Sequence, residues 1–124
     1  MRVIAGTLRG RNLKSSDSFR PTTDRVRETL FNILQNQIED SNFVDAFAGS
    51  GAVGIEALSR GAARVYFLET NHKALKAIED NLKICGDDAL WRIYSFPANK
   101  GLEVIFRAGE NADIIFFDPP YDYK

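Results

Sequence analysis

Hydrophobic and polar positions follow two periods along the chain, one typical of strands and one typical of helices. From residue 42 onward, short apolar runs alternate with stretches in which apolar residues recur at helical spacing. The runs predict strands at 43–47, 64–69, 90–95 and 113–117, and the periodic stretches predict helices at 51–60, 71–84 and 99–107. Because strands alternate with helices, we expect an α/β fold with a parallel sheet built from right-handed βαβ units.

The N-terminal part of the chain has a different pattern. Two short strand-like pieces, at 2–5 and 11–14, predict a hairpin or an extended arm. A polar loop follows, and the spacing of the apolar residues beyond it predicts a further helix. This helix is expected to have its N-cap among residues 22–24 and to end near Gln37.

Charge is divided unevenly between these parts. Residues 1–28 carry seven basic and three acidic side chains, a net charge of +4, whereas residues 29–124 carry a net charge of −5. The positive N-terminal end favours an anionic partner, and a solvated, salt-bridged surface is the alternative. We therefore divide the chain into a basic hairpin or arm over 1–21 and an α/β domain over 22–124.

The composition excludes several classes of protein. With 124 residues, 44% of them hydrophobic and 27% charged, the chain resembles an average globular domain rather than a disordered or fibrous one. No apolar run approaches the roughly 20 residues that cross a bilayer, and no signal-peptide core is present, so we expect a cytoplasmic protein with no membrane partner. The single cysteine, Cys85, fits a reducing compartment. No cluster of histidine, cysteine or aspartate has the spacing of metal ligands, so no metal is predicted.

A glycine-rich loop follows the first predicted strand of the sheet. Gly49, Gly51 and Gly54 match the pattern GxGxxG at the start of a helix, and Glu69 lies twenty residues after the first of them. Such glycines let the backbone turn sharply and approach a ligand closely. Taken alone, the pattern is the fingerprint of a dinucleotide-binding site, and a turn that merely needs small residues is the alternative.

Asp45 argues against a dinucleotide. A carboxylate at the end of the strand, four residues before the first glycine, would repel a pyrophosphate held against the loop. It would suit the ammonium group of a methionine moiety, as in S-adenosylmethionine. Glu69, at the end of the second strand, is placed to accept hydrogen bonds from ribose hydroxyls with either cofactor.

The segment Asp118-Pro119-Pro120-Tyr121 is the most specific feature of the chain. A nearly continuous apolar strand delivers Asp118 to its carboxyl end, where ligands bind in open α/β sheets. The two prolines fix the backbone and the aromatic residue follows them. A rigid turn after a strand is the alternative explanation.

These features resemble a known family. Together, Asp45, the glycine loop and Asp-Pro-Pro-Tyr are similar to the methyltransferases that use S-adenosylmethionine to modify exocyclic or amide nitrogens. The likeness extends to the N-terminal segments 2–6, 9–11 and 20–32, which resemble the bacterial 16S rRNA (guanine-N2)-methyltransferase family. It covers nearly the whole chain, from residue 2 to residue 121.

The resemblance implies a Rossmann-like methyltransferase fold with a mostly parallel sheet, helices on both faces and an N-terminal hairpin or arm. It also implies that the C-terminal strands of that fold are missing from this chain. Residues 22–124 would then be an incomplete S-adenosylmethionine-binding domain, and the activity of the chain alone is in question.

The implied reaction is methyl transfer from S-adenosylmethionine to the exocyclic N2 amine of a guanine in 16S rRNA, either free or in a small-subunit assembly intermediate. Asp118 and the Pro119 carbonyl would accept hydrogen bonds from the target amine, and Tyr121 would stack on the base. The expected catalytic residues are Asp118, Pro119, Pro120 and Tyr121. The expected cofactor-binding residues are Asp45, Ala46, Phe47, Gly49, Gly51, Glu69, Thr70, Ser95 and Phe96. The expected RNA-binding residues are Arg2, Arg9, Arg11, Arg20 and Arg25.

Other functions stay open at this point. Asp-Pro-Pro-Tyr alone does not separate rRNA methylation from adenine-N6 methylation of DNA or from methylation of a protein glutamine, although the arginine-rich N-terminal segment favours rRNA. A NAD-dependent oxidoreductase would use the glycine loop in its usual sense. A fragment that binds the cofactor or RNA without turnover is a further alternative.

Overall fold

A computed structural model describes residues 1–15, 23–86 and 90–119. Within these ranges the strands are β1 (Asn42–Asp45), β2 (Arg64–Leu68), β3 (Trp91–Tyr94) and β4 (Ile114–Phe116). The helices are α1 (Asp24–Leu34), α2 (Ala52–Ser59), α3 (His72–Leu82) and α4 (Ala98–Arg107), with a 3-10 turn at Lys83–Cys85. Every predicted strand and helix therefore has a counterpart in the described part of the chain.

The predicted boundaries differ from the structure by three and two residues at two helix ends. α1 ends at Leu34 rather than near Gln37, and the Gln37 N–H donates to the Leu34 carbonyl in the turn that follows (2.7 Å). The predicted helix over 71–84 ends as an α-helix at Leu82 and tightens into the 3-10 turn. Gly86, with a φ of 78°, ends that turn because glycine enters the left-handed region without strain.

The four strands form one parallel sheet in the order β3-β2-β1-β4. The chain lays down β1, β2 and β3 side by side and then crosses to the opposite side of β1 to add β4. The two halves therefore diverge between β1 and β4, at the carboxyl ends of these strands. Open α/β sheets bind their ligands in the crevice at such a switch point.

Helices cover both faces of the sheet, as predicted. Successive residues of a strand point to opposite faces. Accordingly, Phe43 and Phe67 pack in a buried cluster with side chains of α1, α2 and α3. Val44 and Leu68 pack in a second buried cluster, which Ile105 of α4 joins from the other face.

Residues 1–15 form an antiparallel hairpin, the N-terminal hairpin, with Arg2 bridged to Asn12. Val3 and Leu13 are 2% and 5% exposed and belong to the same core cluster as α1, α2 and α3. The hairpin therefore packs on the α/β domain. Residues 16–22 lie outside the described residues, so the domain boundary at residue 21 stays a prediction.

Candidate functional site

Acidic side chains lie at the carboxyl ends of three neighbouring strands. Asp45 is the last residue of β1, Glu69 follows β2 directly, and Asp118 lies two residues beyond β4. β1 is the middle strand of these three, and Asp45 is in register with Phe67 of β2 and Phe116 of β4. The sheet therefore brings together, at its switch point, acidic residues that are far apart in the sequence. We call Asp45, Glu69 and Asp118 the acidic edge.

Asp45 is the most deeply buried member of this group, with 1% of its surface exposed. Its Oδ2 accepts a hydrogen bond from the Gly54 N–H of α2 (3.1 Å), whereas its Oδ1 is buried and has no hydrogen-bond partner among the described residues. Burial raises the pKa of Asp45 to about 7; the Gly54 N–H opposes that rise, and the negative charges of Glu69 and Asp118 add to it. A buried carboxylate with a spare oxygen and like charges nearby is suited to accept a cation.

The three glycines of the loop have different structural roles. Gly49 and Gly51 adopt φ values of 57° and 83°, in the left-handed region that disfavours other residues. A Cβ on Gly49 would meet nothing within 4 Å, which leaves open space beside the loop. A Cβ on Gly54 would lie 2.3 Å from the ring of Phe67, so this glycine lets α2 pack closely on β2.

Glu69 orients the backbone around the loop. Its Oε1 accepts from the Gly49 N–H (2.8 Å), and its Oε2 accepts from the N–H groups of Thr70 and Asn71 (3.0 Å each). A carboxylate has about four acceptor positions, so one remains for a ligand hydroxyl. Glu69 is 8% exposed. Its hydrogen bonds hold the glycine loop against the end of β2.

The residues expected to meet the adenine ring follow β3. Ser95 and Phe96 are both exposed at the carboxyl edge of the sheet, and Thr70 is exposed after β2. The Phe96 ring stacks on Tyr94 (6.2 Å between centroids), and Tyr94 stacks on Tyr66 (6.2 Å). This row of rings gives Phe96 a fixed position beside the end of β2.

β4 delivers Asp118 and Pro119 to the other side of the crevice. The Ala46 N–H donates to the Phe116 carbonyl (3.0 Å), and the rings of Phe47 and Phe117 meet edge to face (4.8 Å between centroids). These contacts join the segment after β1 to the segment after β4, which ends in the exposed side chain of Asp118. Pro120 and Tyr121 lie outside the described residues.

The site disfavours the nicotinamide alternative. A pyrophosphate would need unpaired N–H groups at the start of α2 and no negative charge close to them. Asp45 instead places its carboxylate there and accepts from the Gly54 N–H. Glu69 and Asp118 add negative charge at the same edge.

The predicted RNA-binding arginines are exposed where the structure describes them. Arg2, Arg9 and Arg11 extend from the N-terminal hairpin, and Arg25 lies in the first turn of α1. Arg20 lies outside the described residues. These side chains lie on the hairpin and at the start of α1.

Arg27 is buried, so its positive charge is not available on the surface of the N-terminal segment. It is 0% exposed, and its guanidinium pairs with the buried carboxylate of Glu56 (Nη1 to Oε1, 3.3 Å) and with Asp24. Its Nη2 also donates to the Arg2 carbonyl (2.9 Å). One of the seven basic residues counted in the N-terminal segment therefore has a structural role and is not available to an anionic partner.

Sequence reasoning also missed two buried polar residues next to the glycine loop. Glu56 is 0% exposed and accepts from the backbone N–H groups of Ile4 and Ala5 (2.9 and 3.0 Å). Asn81 is 3% exposed and bonds to both Lys14 and Ser50. Glu56 is the one charged residue in the apolar helix α2, and Asn81 lies on the apolar face of α3. Either position in the sequence could have indicated a buried polar contact.

Two other kinds of site are not found in the described ranges. No helix there is long and apolar enough to cross a membrane. Nor do any three histidine, cysteine or acidic side chains of those ranges lie together in a way that could hold a metal ion.

Solved structures share this fold. A hypothetical protein of Thermus thermophilus superposes with a TM-score of 0.88 and 33% identity, over 99% of this chain and 71% of that one. An S-adenosylmethionine-dependent methyltransferase of Agrobacterium tumefaciens superposes with a TM-score of 0.66 and 25% identity, over 82% of this chain and 33% of that one. With the acidic edge and the glycine loop, these matches place the chain in the class of S-adenosylmethionine-dependent methyltransferases.

Sequence comparison narrows the class to a family. The family model described as conserved hypothetical protein 95 matches residues 1–124, and the chain belongs to that family. It is 39% identical to ribosomal RNA small subunit methyltransferase D of Haemophilus influenzae, over 100% of this chain and 65% of that protein. It is 41% identical to the protein of the same name in Escherichia coli, over 98% of this chain and 60% of that one. The chain thus spans less than two thirds of the length of these two relatives.

Proposed function

We propose that the protein transfers a methyl group from S-adenosylmethionine to the exocyclic N2 amine of a guanine in 16S rRNA. The observation that carries this proposal is the acidic edge, where Asp45, Glu69 and Asp118 surround the glycine loop at the switch point of the sheet. The names of the curated relatives, which describe ribosomal RNA small subunit methyltransferases, support the choice of substrate.

The residues beside the loop fit S-adenosylmethionine. The orphaned Oδ1 of Asp45 suits the ammonium group of the methionine moiety, because a buried acceptor without a partner gains most from a charged donor. The remaining acceptor position of Glu69 suits a ribose hydroxyl, and the open space beside Gly49 admits the ligand. Ser95 and Phe96 would border the adenine, with Ala46, Phe47, Gly51 and Thr70 completing the proposed cofactor site. When bound, the cofactor supplies an electrophilic methyl group on its sulfonium.

Asp118 and Pro119 would position the target amine. The lone pair of an aromatic amine is delocalised into its ring, so the nitrogen is a poor nucleophile. Hydrogen bonds from its N–H groups to the Asp118 carboxylate and the Pro119 carbonyl would direct the lone pair towards the methyl group. Catalysis would then come from orientation and electrostatics, without a covalent intermediate on the protein. Pro120 and Tyr121 complete the proposed catalytic segment, with Tyr121 stacked on the base.

The N-terminal hairpin and the start of α1 would hold the RNA backbone. The exposed arginines Arg2, Arg9, Arg11 and Arg25 are suited to phosphate contacts, and Arg20 belongs to the same proposed surface. A guanine must leave its stack for its amino group to reach the crevice. The substrate would be free 16S rRNA or an assembly intermediate of the small subunit, which places the reaction in the cytoplasm.

Transfer of an isotopically labelled methyl group tests the proposal. Purified full-length protein is incubated with labelled S-adenosylmethionine and either unmethylated 16S rRNA or small subunits that lack the modification, and the product is digested to nucleosides. We expect label in N2-methylguanosine. Label in N6-methyladenine from a DNA duplex, label in a protein glutamine, or tight NADH binding without S-adenosylhomocysteine binding would each overturn it.

A further inference from the structure

The side chain of Asn81 joins the N-terminal hairpin to the glycine loop. Its Oδ1 accepts from the Lys14 N–H (2.7 Å), and its Nδ2 donates both to the Lys14 carbonyl (2.9 Å) and to the Ser50 carbonyl (2.9 Å). Ser50 lies between the two left-handed glycines of the loop. One buried amide, 3% exposed, thus uses both of its N–H groups and its oxygen to bind two segments 36 residues apart in the sequence.

The rest of the hairpin is held by a different element. Glu56 of α2 accepts from Ile4 and Ala5, and the Ser59 Oγ accepts from the Leu8 N–H (2.9 Å) and donates to the Ala5 carbonyl (2.6 Å). These contacts fix the first strand and the turn of the hairpin on the C-terminal half of α2. Among the described hydrogen bonds, those of Asn81 link the hairpin to the glycine loop.

We propose that Asn81 is a positioning residue that couples RNA binding at the N-terminal hairpin to cofactor binding at the glycine loop. This inference rests on the proposed function, because it takes the hairpin as an RNA-binding surface and the loop as the cofactor site. Phosphates held by the hairpin fix the peptide group of Lys14, and with it the amide plane of Asn81. The second N–H of that amide then fixes the Ser50 carbonyl, and so the direction of the neighbouring loop N–H groups.

The coupling acts in both directions. A loop that the bound RNA has already ordered costs less conformational entropy to close on the cofactor, so each ligand raises the affinity for the other. The two affinities must change by the same factor, because binding free energies are linked. We expect the hydrogen bonds of the Asn81 amide to transmit this coupling between the two sites.

The variant Asn81→Asp tests the coupling. It has the same shape and keeps an acceptor for the Lys14 N–H, but it sets a carboxylate oxygen against the Lys14 and Ser50 carbonyls. The dissociation constant of S-adenosylhomocysteine is measured by calorimetry on the full-length protein, with and without saturating 16S rRNA. We expect RNA to tighten binding several-fold in the unmodified protein, and the variant to bind about tenfold more weakly and to show no response to RNA.

Leu82→Ala is the matched control. Leu82 is the next residue of α3, is equally buried at 3% exposure, and belongs to the core cluster. Its truncation should lower the melting temperature without removing a described hydrogen bond to the loop, so the RNA response should persist. If both variants lose stability alike and both keep the RNA response, Asn81 is a structural residue only and the proposal is wrong.

Hydrogen exchange on the unmodified protein provides a test that needs no variant. The Lys14 N–H is the donor to Asn81, so we expect S-adenosylhomocysteine to slow the exchange of this amide several-fold. The Gly10 N–H, bonded to the Val3 carbonyl within the hairpin (2.8 Å), should exchange at an unchanged rate. An unaltered rate at Lys14 in a protein that binds S-adenosylhomocysteine would overturn the coupling while leaving the proposed function intact. Failure to bind the ligand at all would instead contradict the proposed function.

Discussion

At the scale of single residues, the site depends on one carboxylate that the fold leaves incompletely satisfied. Asp45 is buried, keeps one oxygen without a partner, and lies near two other carboxylates. In the absence of a cation this arrangement costs stability, because a buried carboxylate disfavours its charged form. A cationic ligand group removes that cost, so the residue that weakens the empty domain is the one that should bind the cofactor.

Asp45→Asn should separate these two effects by their pH dependence. The pKa of Asp45 is about 7 in the folded domain against an ordinary 3.8, so between these values the folded state binds the extra proton. Relative to the variant, the free energy of unfolding of the ligand-free protein should therefore be highest below pH 4 and should fall as the pH rises to about 7. Thermal unfolding of both proteins from pH 5 to pH 8 measures the difference.

Cofactor affinity should respond in the opposite direction. The ammonium group binds the ionised carboxylate, so the affinity of the unmodified protein for S-adenosylhomocysteine should rise as the pH increases towards about 7. The variant should bind more weakly by about 1–3 kcal/mol and show a flatter pH profile. Equal affinities at pH 8 would mean that Asp45 does not contact the ligand.

Asp118→Ala should abolish transfer without emptying the cofactor site. Loss of the acceptor for the target amine should lower the turnover number by at least about a hundredfold. The affinity for S-adenosylhomocysteine should change little. Asp113→Ala, at the opposite end of β4, is the control, because Asp113 accepts from the Asn42 N–H (2.7 Å) far from the crevice. Normal turnover in Asp118→Ala would contradict the assigned role.

At the scale of elements, α1 carries arginines with two different tasks. Arg25 is exposed near the start of the helix, whereas Arg27, half a turn later, is buried against Glu56 of α2. The buried pair ties α1 to the helix that follows the glycine loop and to the Arg2 carbonyl of the hairpin. The same helix would therefore offer one cation to RNA under the proposed function, and it uses another to dock on the domain.

The two arginines should respond differently to truncation. Arg27→Ala leaves the Glu56 charge buried with one fewer partner and should lower the free energy of unfolding by about 3–5 kcal/mol. Arg25→Ala should change stability by less than about 0.5 kcal/mol and should weaken RNA binding. Urea unfolding at pH 7 and filter binding of 16S rRNA measure the two quantities. Similar unfolding free energies for the two variants would show that the pair contributes little.

The elements were predictable from the sequence where a local pattern determines them. The apolar runs predicted β1 to β4, and the alternation of strands with helices predicted the parallel sheet. Helix ends were less accurate, because the last turn of α1 and the 3-10 turn after α3 depend on capping and packing beyond the local pattern. The burial of Arg27 was not predictable, since its partner Glu56 lies 29 residues further along the chain.

The candidate site was predictable in part for the same reason. Asp45, Gly49 and Glu69 were found because they stand at fixed positions relative to strand ends. The unpaired oxygen of Asp45 and the bridge made by Asn81 arise only when β1, α2, α3 and the hairpin pack together. The sequence pattern thus identifies the residues of a site more readily than their hydrogen bonds.

At the scale of the whole molecule, charge is divided unevenly between two parts of the chain. The chain has a net charge of only −1, but residues 1–28 carry +4 and the remainder −5. Arg27 and its partners remove one of the positive charges from the surface, and Arg2, Arg9, Arg11 and Arg25 remain exposed. The exposed arginines of the hairpin favour a polyanionic partner, whereas the acidic crevice favours a cationic ligand group.

The hairpin arginines should set the salt dependence of RNA binding. Replacing Arg9 and Arg11 together by alanine should reduce the slope of log K against log salt by about one to two, the release of counterions from two phosphate contacts. Lys100→Ala with Arg107→Ala on α4 makes the same change of charge on the other face of the sheet. We expect the control pair to keep the slope of the unmodified protein. Equal slopes for both double variants would remove the hairpin from the RNA interface.

The proposed function is the methylation of a guanine of the small-subunit rRNA in the crevice next to Asp45, Glu69 and Asp118. Mass-spectrometric nucleoside analysis of 16S rRNA from a strain that lacks the gene tests it most directly. We predict the loss of one N2-methylguanosine per rRNA, restored by the unmodified gene and not by Asp118→Ala. An unchanged content of N2-methylguanosine in the deletion strain would contradict the account.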